Sequence, residues 1–308
     1  MEKSNLTKNE PLFKHTTFQL GGLAKYFLAT SKKAELIEAL ALAQKEKLKC
    51  LVIGGGSNTV FSDKGFNGLV IKYGGGKLTT KNLSGTAIDV DASVSLWELV
   101  TFSIKNGLSG LEYLSGIPGN VGGAIVGNAG AYDHFIGDLV ESVEISAGQK
   151  VRQLSVKDCH FLYRDSIFKK KDWIILSVRL NLKNGDKKGL SQIAKNLIKD
   201  RNKKYDGLLC AGSFFKNIPL KNVPKDLLKK IDQTKIVGGK LSVGYLLGEA
   251  GAGGLKAGGI SVSSFHHNFL INDGSGKASD LKKLATKLKS LVKKKFNINL
   301  EEEVRLIK

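Results

Sequence analysis

The sequence predicts a mixed α/β fold in more than one domain, and three observations predict it. Residues 24–58 run strand, helix, strand: AKYFLAT, then Lys32–Lys47, then LKCLVIGGGSN. Two glycine runs, IGGGSN at 53–58 and GIPGNVGGAIVGNAGAY at 116–132, mark places where the backbone must turn tightly or be approached closely. The 308 residues, 42% of them hydrophobic, suffice for two or three domains, each with its own core.

Taken in order, residues 1–15 read as a mobile arm ending near Pro11. TTFQLGG at 16–22 reads as a short strand into a turn. Ser31 is placed to cap the helix Lys32–Lys47, with Ala34, Ile37, Leu40 and Ala41 as its inner face. GLVIKY, KLTTKNLSG and TAIDVDASVS follow as strands, with Gly74–Gly76 as a turn. Trp97–Asn106 is a helix stopped by Gly107. LVESVEISAG and KVRQLSV alternate as a hairpin does, and WIILSVRLNL is a further strand. Ser191–Lys203 is an amphipathic helix with Ile193, Leu197 and Ile198 inward, and a domain boundary falls near 204. Beyond it lie AGSFFKN, a glycine-rich segment at 248–259, HHNFLIN, and a helix over Ser279–Lys295 with Leu281, Leu284, Leu288 and Leu291 on one face. INLEEEVRLI closes the chain as a strand, on which Glu301 and Glu303 share a face.

Composition narrows the function. Net charge is +20, but the 48 Lys and Arg are spread along the chain without interleaved aromatics, which argues against nucleic acid and for a solvated lysine surface. That field favours a polyanionic small substrate. The 36 glycines with only four prolines indicate ordered tight turns. Cys50, Cys159 and Cys210 form neither a disulfide framework nor a zinc motif, and the five histidines make no HExxH, so no metal site is expected. His266 and His267, adjacent, would point to opposite faces of a strand. The N-terminus lacks a signal-peptide core and no run of about 18 apolar residues exists, so a cytoplasmic protein without a membrane span is expected.

The glycine runs admit two readings. Free N–H groups in such turns form an anion-binding concavity, reinforced if a helix begins after Gly119. Gly119, Gly123 and Gly127 also form a GxxxGxxxG row suited to close helix packing. Neither run spells a Rossmann or P-loop motif. Two runs some sixty residues apart favour a long dinucleotide held at two places.

GIPGNVGGAIVGNAGAY and IGGGSN resemble the UDP-N-acetylenolpyruvoylglucosamine reductases, flavoenzymes that make UDP-N-acetylmuramate for peptidoglycan. TTFQLGG, YRDSIFK at 163–169, AGSFFKN at 211–217, HHNFLIN at 266–272 and LEEEVR at 300–305 match the same family in the same order, so the resemblance covers nearly the whole chain. It implies an FAD-binding fold of the vanillyl-alcohol-oxidase (PCMH) type: lobes at 16–65 and 66–204 after the N-terminal arm, and an α+β substrate-binding domain at 205–308, of the shorter type without a tyrosine-loop insertion. It implies non-covalent FAD, NADPH as co-substrate, and UDP-N-acetylglucosamine-enolpyruvate as the group reduced, by a protein that acts as a monomer.

The resemblance also assigns roles. Gly54, Gly55, Gly56, Ser57, Asn58, Gly119, Asn120, Gly122, Gly123, Ala124, Asn128 and Gly130 are expected around FAD. Arg164, read alone, is more readily a surface ion pair with Asp165; the resemblance reverses this and gives it the carboxylate and the enol-like intermediate. Ser213, read alone a turn or cap residue, matches the proton donor, and Glu303, read alone part of a charged edge, matches the catalytic glutamate. Tyr163, Arg201, Lys216 and Asn217 are expected at the substrate, while Cys210 is a spectator. The chain departs from the pattern at Ile218 before Pro219, in the glycine-richer 248–259 segment, and at His267 in place of alanine, all of which bear on the nucleotide side. Oxidases of the same fold that tether flavin through His or Cys are a rival reading, but neither glycine run contains a histidine.

Overall fold

The computed structural model describes residues 1–79, 82–148, 150–205 and 207–308, the side chains at 204 and 205 excepted. The chain forms two compact units. The first comprises Met1–Glu10, Ala24–Gly55 and Asn67–Lys203; the second comprises Pro11–Leu23, Gly56–Phe66 and Lys204–Lys308. Residues 11–23 and 56–65, which the sequence reading places in the arm and the first lobe, thus pack with 204–308, as does Phe66.

In the first unit, one sheet runs in the order Thr7–Pro11, Leu23–Thr30, Phe66–Tyr73, Cys50–Ile53. The last two strands are parallel, with Leu51 beside Val70, as a strand–helix–strand unit requires. The second sheet is antiparallel: Lys150–Ser155, Val140–Ala147, Ile174–Asn181, Ala87–Asp91, Leu83–Ser84. Val143 pairs with Leu154 on one side and Val178 on the other. Helices α1 (Lys33–Lys45), α2 (Leu96–Lys105), α3 (Val121–Gly127) and α4 (Lys187–Tyr205) complete the unit. Ser95 starts α2 by accepting the Glu98 N–H at 3.0 Å. One core joins Leu36 and Ala39 of α1, Leu69 and Ile71, Leu99 of α2, Ile125 of α3, and Val143 and Val178. Burying each larger aliphatic side chain there contributes roughly 2 kcal/mol.

Several expectations are corrected. Residues 7–11 are a sheet strand with Leu6 and Leu12 buried, so the N-terminal segment is no mobile arm. TTFQLGG is a turn, with the Gln19 N–H donating to Thr16 O at 3.2 Å and positive φ at Gln19 and Gly21 breaking an extended run. The inner face of α1 is Leu36, Ala39, Leu42 and Ala43, whereas Ala34 and Ala41 are exposed. Its segment is apolar nearly all round, so periodicity alone selects no face. Thr30 Oγ1, not Ser31, accepts the Lys32 N–H, at 3.0 Å. Of KLTTKNLSG only Leu83–Ser84 pairs in a sheet; Thr80 and Lys81 lie outside the described residues, as does Gln149 in the 139–156 hairpin. The closing strand is confined to Arg305–Ile307, which runs parallel to Thr59–Phe61.

The second unit has its own core around helices α5 (Lys225–Leu228), α6 (Val243–Glu249) and α7 (Ala278–Phe296). Leu281, Leu284, Ala285, Leu288 and Val292 of α7 pack with Leu246 and Leu247 of α6 and with Phe214, Phe215 and Leu300. Asp63 accepts the Ala278 and Ser279 N–H groups at 2.7 and 3.0 Å, so a distant loop caps α7. His266 and His267 lie in a turn closed by the Phe269 N–H on His266 O at 2.8 Å, not on a strand. Both imidazoles rest against one face of α6: side chains at Gly244 and Gly248 would meet them at 3.1 and 2.6 Å.

Candidate active site

Each unit carries one set of the residues that the sequence singles out. In the first unit the two glycine runs meet. A methyl group on Gly55 would stand 3.1 Å from the Gly119 Cα, and one on Gly54 would stand 3.0 Å from Asn120 Oδ1. Asn120 is buried and donates to Ser93 O at 2.6 Å, which fixes the approach to α3. The Val121 and Gly122 amides, expected to face a ligand, donate instead to Val94 O and Ala92 O at 2.9 and 3.0 Å. Gly122 is packed against Ala92, while methyl groups at Gly123 and Gly127 would meet nothing within 4 Å. Those two glycines therefore pack against no described residue, and the helix-packing reading of the row fails. The surface of α3 at Gly123 and Gly127 is open, and a Cβ there would narrow the space available to a flat cofactor.

Asn128 ends α3 in the left-handed region, with φ of 43°. Its side chain donates to Leu162 O at 2.9 Å and accepts the Gly137 N–H at 3.0 Å. Gly130 is packed under Phe135. These two expected cofactor residues are thus engaged with the protein itself.

The same contacts place Arg164. Leu162 and Asp165 exchange backbone hydrogen bonds of 3.0 and 3.1 Å around a tight turn with Tyr163 and Arg164 at its tip. Arg164 has φ of 53°, and its carbonyl accepts from Lys169 Nζ at 2.7 Å. Ser166, buried, donates to Val126 O of α3 at 2.7 Å. Asn128 and Ser166 therefore staple both ends of this turn to the glycine helix. Asp165 pairs with Lys170 at 3.1 Å and accepts the Ser166 N–H. Burial opposes its ionisation, but Lys170 and that N–H hold its carboxyl below the usual range. The ion partner that Asp165 has here is Lys170. Tyr163 meets Phe135 edge-on at 6.4 Å and lies 5.7 Å under the Arg164 guanidinium. Arg201, on α4, lies against Gly116, where a methyl would come within 2.8 Å of its Cδ.

In the second unit Gly56 has φ of +65°, and a methyl there would fall 1.9 Å from His15 O, so only glycine fits. Asn58 follows within this unit, and its side chain donates to Glu303 O at 3.1 Å. The Glu303 N–H donates to Phe214 O at 2.8 Å. Ser213, the preceding residue, bridges to Phe269 on the other side. Ser213 and Glu303, ninety residues apart in sequence, are thus carried on hydrogen-bonded neighbouring segments, both half-buried. Lys216 pairs with Glu301, and Glu302 with Lys289 at 2.5 Å, while Glu303 is half-buried. Asn217 accepts the Val243 N–H at 3.1 Å, at the start of α6. Cys210 is buried and burial pushes its thiol pKa up, which fits a spectator.

One residue escaped the sequence reading. Asn268, buried, donates to Phe215 O at 2.8 Å and accepts the Phe215 N–H at 2.9 Å. The motif HHNFLIN contains it, but nothing in the spacing points to a partner fifty-three residues away. Among the described residues no His, Cys, Asp or Glu cluster could hold a metal ion, and no helix is long and apolar enough to cross a membrane.

Comparison with known proteins bears on both units. Residues 203–307 match the family described as UDP-N-acetylenolpyruvoylglucosamine reductase, C-terminal domain, and residues 24–149 match the FAD binding domain family. A reductase of that name from Solibacter usitatus is 37% identical over 98% of this chain and 96% of its own length. The Bacillus subtilis protein of the same name is 33% identical, covering 99% and 95%. The crystal structure of UDP-N-acetylenolpyruvylglucosamine reductase from Thermus caldophilus superposes with a TM-score of 0.74 at 28% identity, covering 96% of this chain and 97% of that one.

Proposed function

Because the chain belongs to the UDP-N-acetylenolpyruvoylglucosamine reductase family, we propose that it reduces UDP-N-acetylglucosamine-enolpyruvate to UDP-N-acetylmuramate, with FAD as cofactor and NADPH as co-substrate. It is an oxidoreductase with a mixed α/β, FAD-binding fold. FAD, when bound, supplies the two-electron chemistry that links NADPH oxidation to saturation of the enol ether. The open surface at Gly123 and Gly127 of α3, whose approach at Gly119 and Asn120 meets Gly55 and Gly54, leaves room for it.

The chain's own residues handle charge and the proton. As the β-carbon accepts hydride, negative charge builds on the α-carbon and its carboxylate. The Arg164 guanidinium holds that carboxylate with two parallel hydrogen bonds. Ser213 donates its hydroxyl proton to the α-carbon, and Glu303 orients the group being protonated. Tyr163, Arg201, Lys216 and Asn217 contribute to substrate binding, and the lysine-rich field draws the nucleotide diphosphate inward. The protein works in the cytoplasm, where this substrate is made, and as a monomer.

The observation that carries this reading is the pairing of the Ser213 and Glu303 segments through the 2.8 Å bond from Glu303 N–H to Phe214 O. The test is anaerobic. NADPH should bleach the yellow protein, and adding the enolpyruvyl substrate should restore the oxidised absorbance. A bleached protein that stays bleached on that addition overturns the assignment. Ser213→Ala should retain bleaching by NADPH and lose most of the recovery.

A further inference from the structure

We propose that Asn268 is a positioning residue for proton delivery by Ser213, an inference that rests on the function proposed above. The segment Ser213–Lys216 is held from two sides. On one side the Glu303 N–H donates to Phe214 O and the Lys216 N–H donates to Glu301 O, at 2.8 and 2.9 Å. On the other side Ser213 bridges to Phe269, and the Phe214 N–H donates to Asn268 O at 2.8 Å. Phe215 bridges to Glu302 on the first side, and among the described residues no strand pairs with it on the second. The Asn268 side chain supplies what a strand would: a donor to Phe215 O at 2.8 Å and an acceptor for Phe215 N–H at 2.9 Å.

Only a carboxamide presents both groups in the geometry of a peptide unit. Asn268 is 1% exposed, so water cannot replace it. Its own conformation is set by the turn, where its N–H donates to His266 Nδ1 at 3.3 Å. Removing the clamp leaves a buried N–H and a buried carbonyl unpaired two residues after Ser213. The main chain then relaxes there, and the serine hydroxyl moves with it. Protonation makes the substrate's α-carbon stereogenic, so a hydroxyl held on one face yields one configuration, whereas a displaced one lets solvent protonate either face.

The test uses the flavin-loaded protein with Asn268→Asp and Asn268→Ser. In Asn268→Asp an ionised carboxylate faces the Phe215 carbonyl and repels it, whereas a protonated carboxyl donates to it as the amide does. Burial raises the pKa of such a carboxyl, bringing the transition into a usable range. At pH 8 we expect bleaching by NADPH and the substrate KM to stay within about twofold of wild type. Recovery of oxidised absorbance by the enolpyruvyl substrate should slow on the order of 100-fold, as an ångström-scale misplacement does. Recovery should improve towards pH 5.5 in Asn268→Asp but not in Asn268→Ser. Turnover in D2O should give one α-carbon configuration with wild type and a mixture with Asn268→Ser.

Equal slowing of both steps, unaltered recovery, or loss of folding in both variants makes Asn268 merely structural and overturns the inference. Wild-type protein run in parallel separates the two claims. If wild type is not reoxidised, the functional reading falls and this one falls with it. If wild type is reoxidised and the variants match it, only this inference falls.

Discussion

The side chain of Asn58 donates to the carbonyl of Glu303 at 3.1 Å, while the Asn58 carbonyl accepts the Arg305 N–H at 3.0 Å. An asparagine expected at the cofactor thus clamps the main chain on both sides of Val304, next to Glu303, the glutamate proposed to be catalytic. Asn58→Ala removes the first of these bonds, a loss of about 1 kcal/mol for a neutral pair. Its effect should fall on the Glu303 step: recovery of flavin absorbance by substrate slows by about tenfold, while the FAD dissociation constant changes less than threefold. Stopped-flow reoxidation and flavin-fluorescence titration separate the two. A cofactor-only role would reverse the pattern.

Gly123 sits in α3, is exposed, and has open space where a Cβ would go. Alanine in a helix interior is favoured over glycine by up to about 1 kcal/mol. Gly123→Ala should therefore raise the melting temperature of the flavin-free protein and weaken FAD binding by at least about tenfold. A helix-packing role for this glycine predicts the opposite stability change. Melting the apoprotein and titrating it with FAD tests both signs.

Much of this was legible in the sequence. The strand–helix–strand order around Cys50–Ile53 and the 140–155 hairpin follow from element order and alternation, and α7 from periodicity, because it buries one clear face. The direct approach of Gly55 to Gly119 lies beyond that reading, which takes the two runs as holding one dinucleotide at two places. What stayed hidden has a common physical origin. The α1 face was misassigned because AELIEALALA is apolar on several sides, so its partners choose the face. The clamps of Asn58 on Glu303 and of Asn268 on Phe215 join side chain to backbone across 245 and 53 residues, and such bonds leave no repeat to read. The engagement of the Val121 and Gly122 amides with Val94 and Ala92 was likewise invisible, since any residue type accepts through its carbonyl.

Asp63 caps α7 from a loop. Partial burial alone would raise its pKa, but the Ser279 and Ala278 donors and Lys277 lower it below the ordinary value. A carboxyl depressed on folding contributes stability above its unfolded pKa of about 3.9 and loses it as pH falls towards the folded value. Wild-type melting temperature should fall over that acidic interval, and the part due to Asp63 should vanish in Asp63→Asn. At neutral pH Asp63→Ala should cost about 1 kcal/mol, as loss of a helix cap does. Thermal melts from pH 2.5 to 7 measure both. Parallel curves for wild type and Asp63→Asn would show that the cap carries no pH dependence.

Arg164 stands at the tip of its turn in the left-handed region, φ 53°, and Asp165 is already paired with Lys170. The non-glycine φ is a local cost of about 1 kcal/mol. Arg164→Gly should relieve that cost and leave the turn stapled by Asn128 and Ser166, so the protein should still fold. Arg164→Lys keeps the charge but loses the two-pronged grip on a carboxylate. Charge-assisted hydrogen bonds contribute roughly 1.5–3 kcal/mol, so kcat/KM for the enolpyruvyl substrate should drop by about 10- to 100-fold in Arg164→Lys, and further in Arg164→Gly. Bleaching by NADPH should proceed at the wild-type rate in both. If Arg164→Gly unfolds the protein, or Arg164→Lys turns over normally, the guanidinium serves the turn and some other cation holds the substrate's carboxylate.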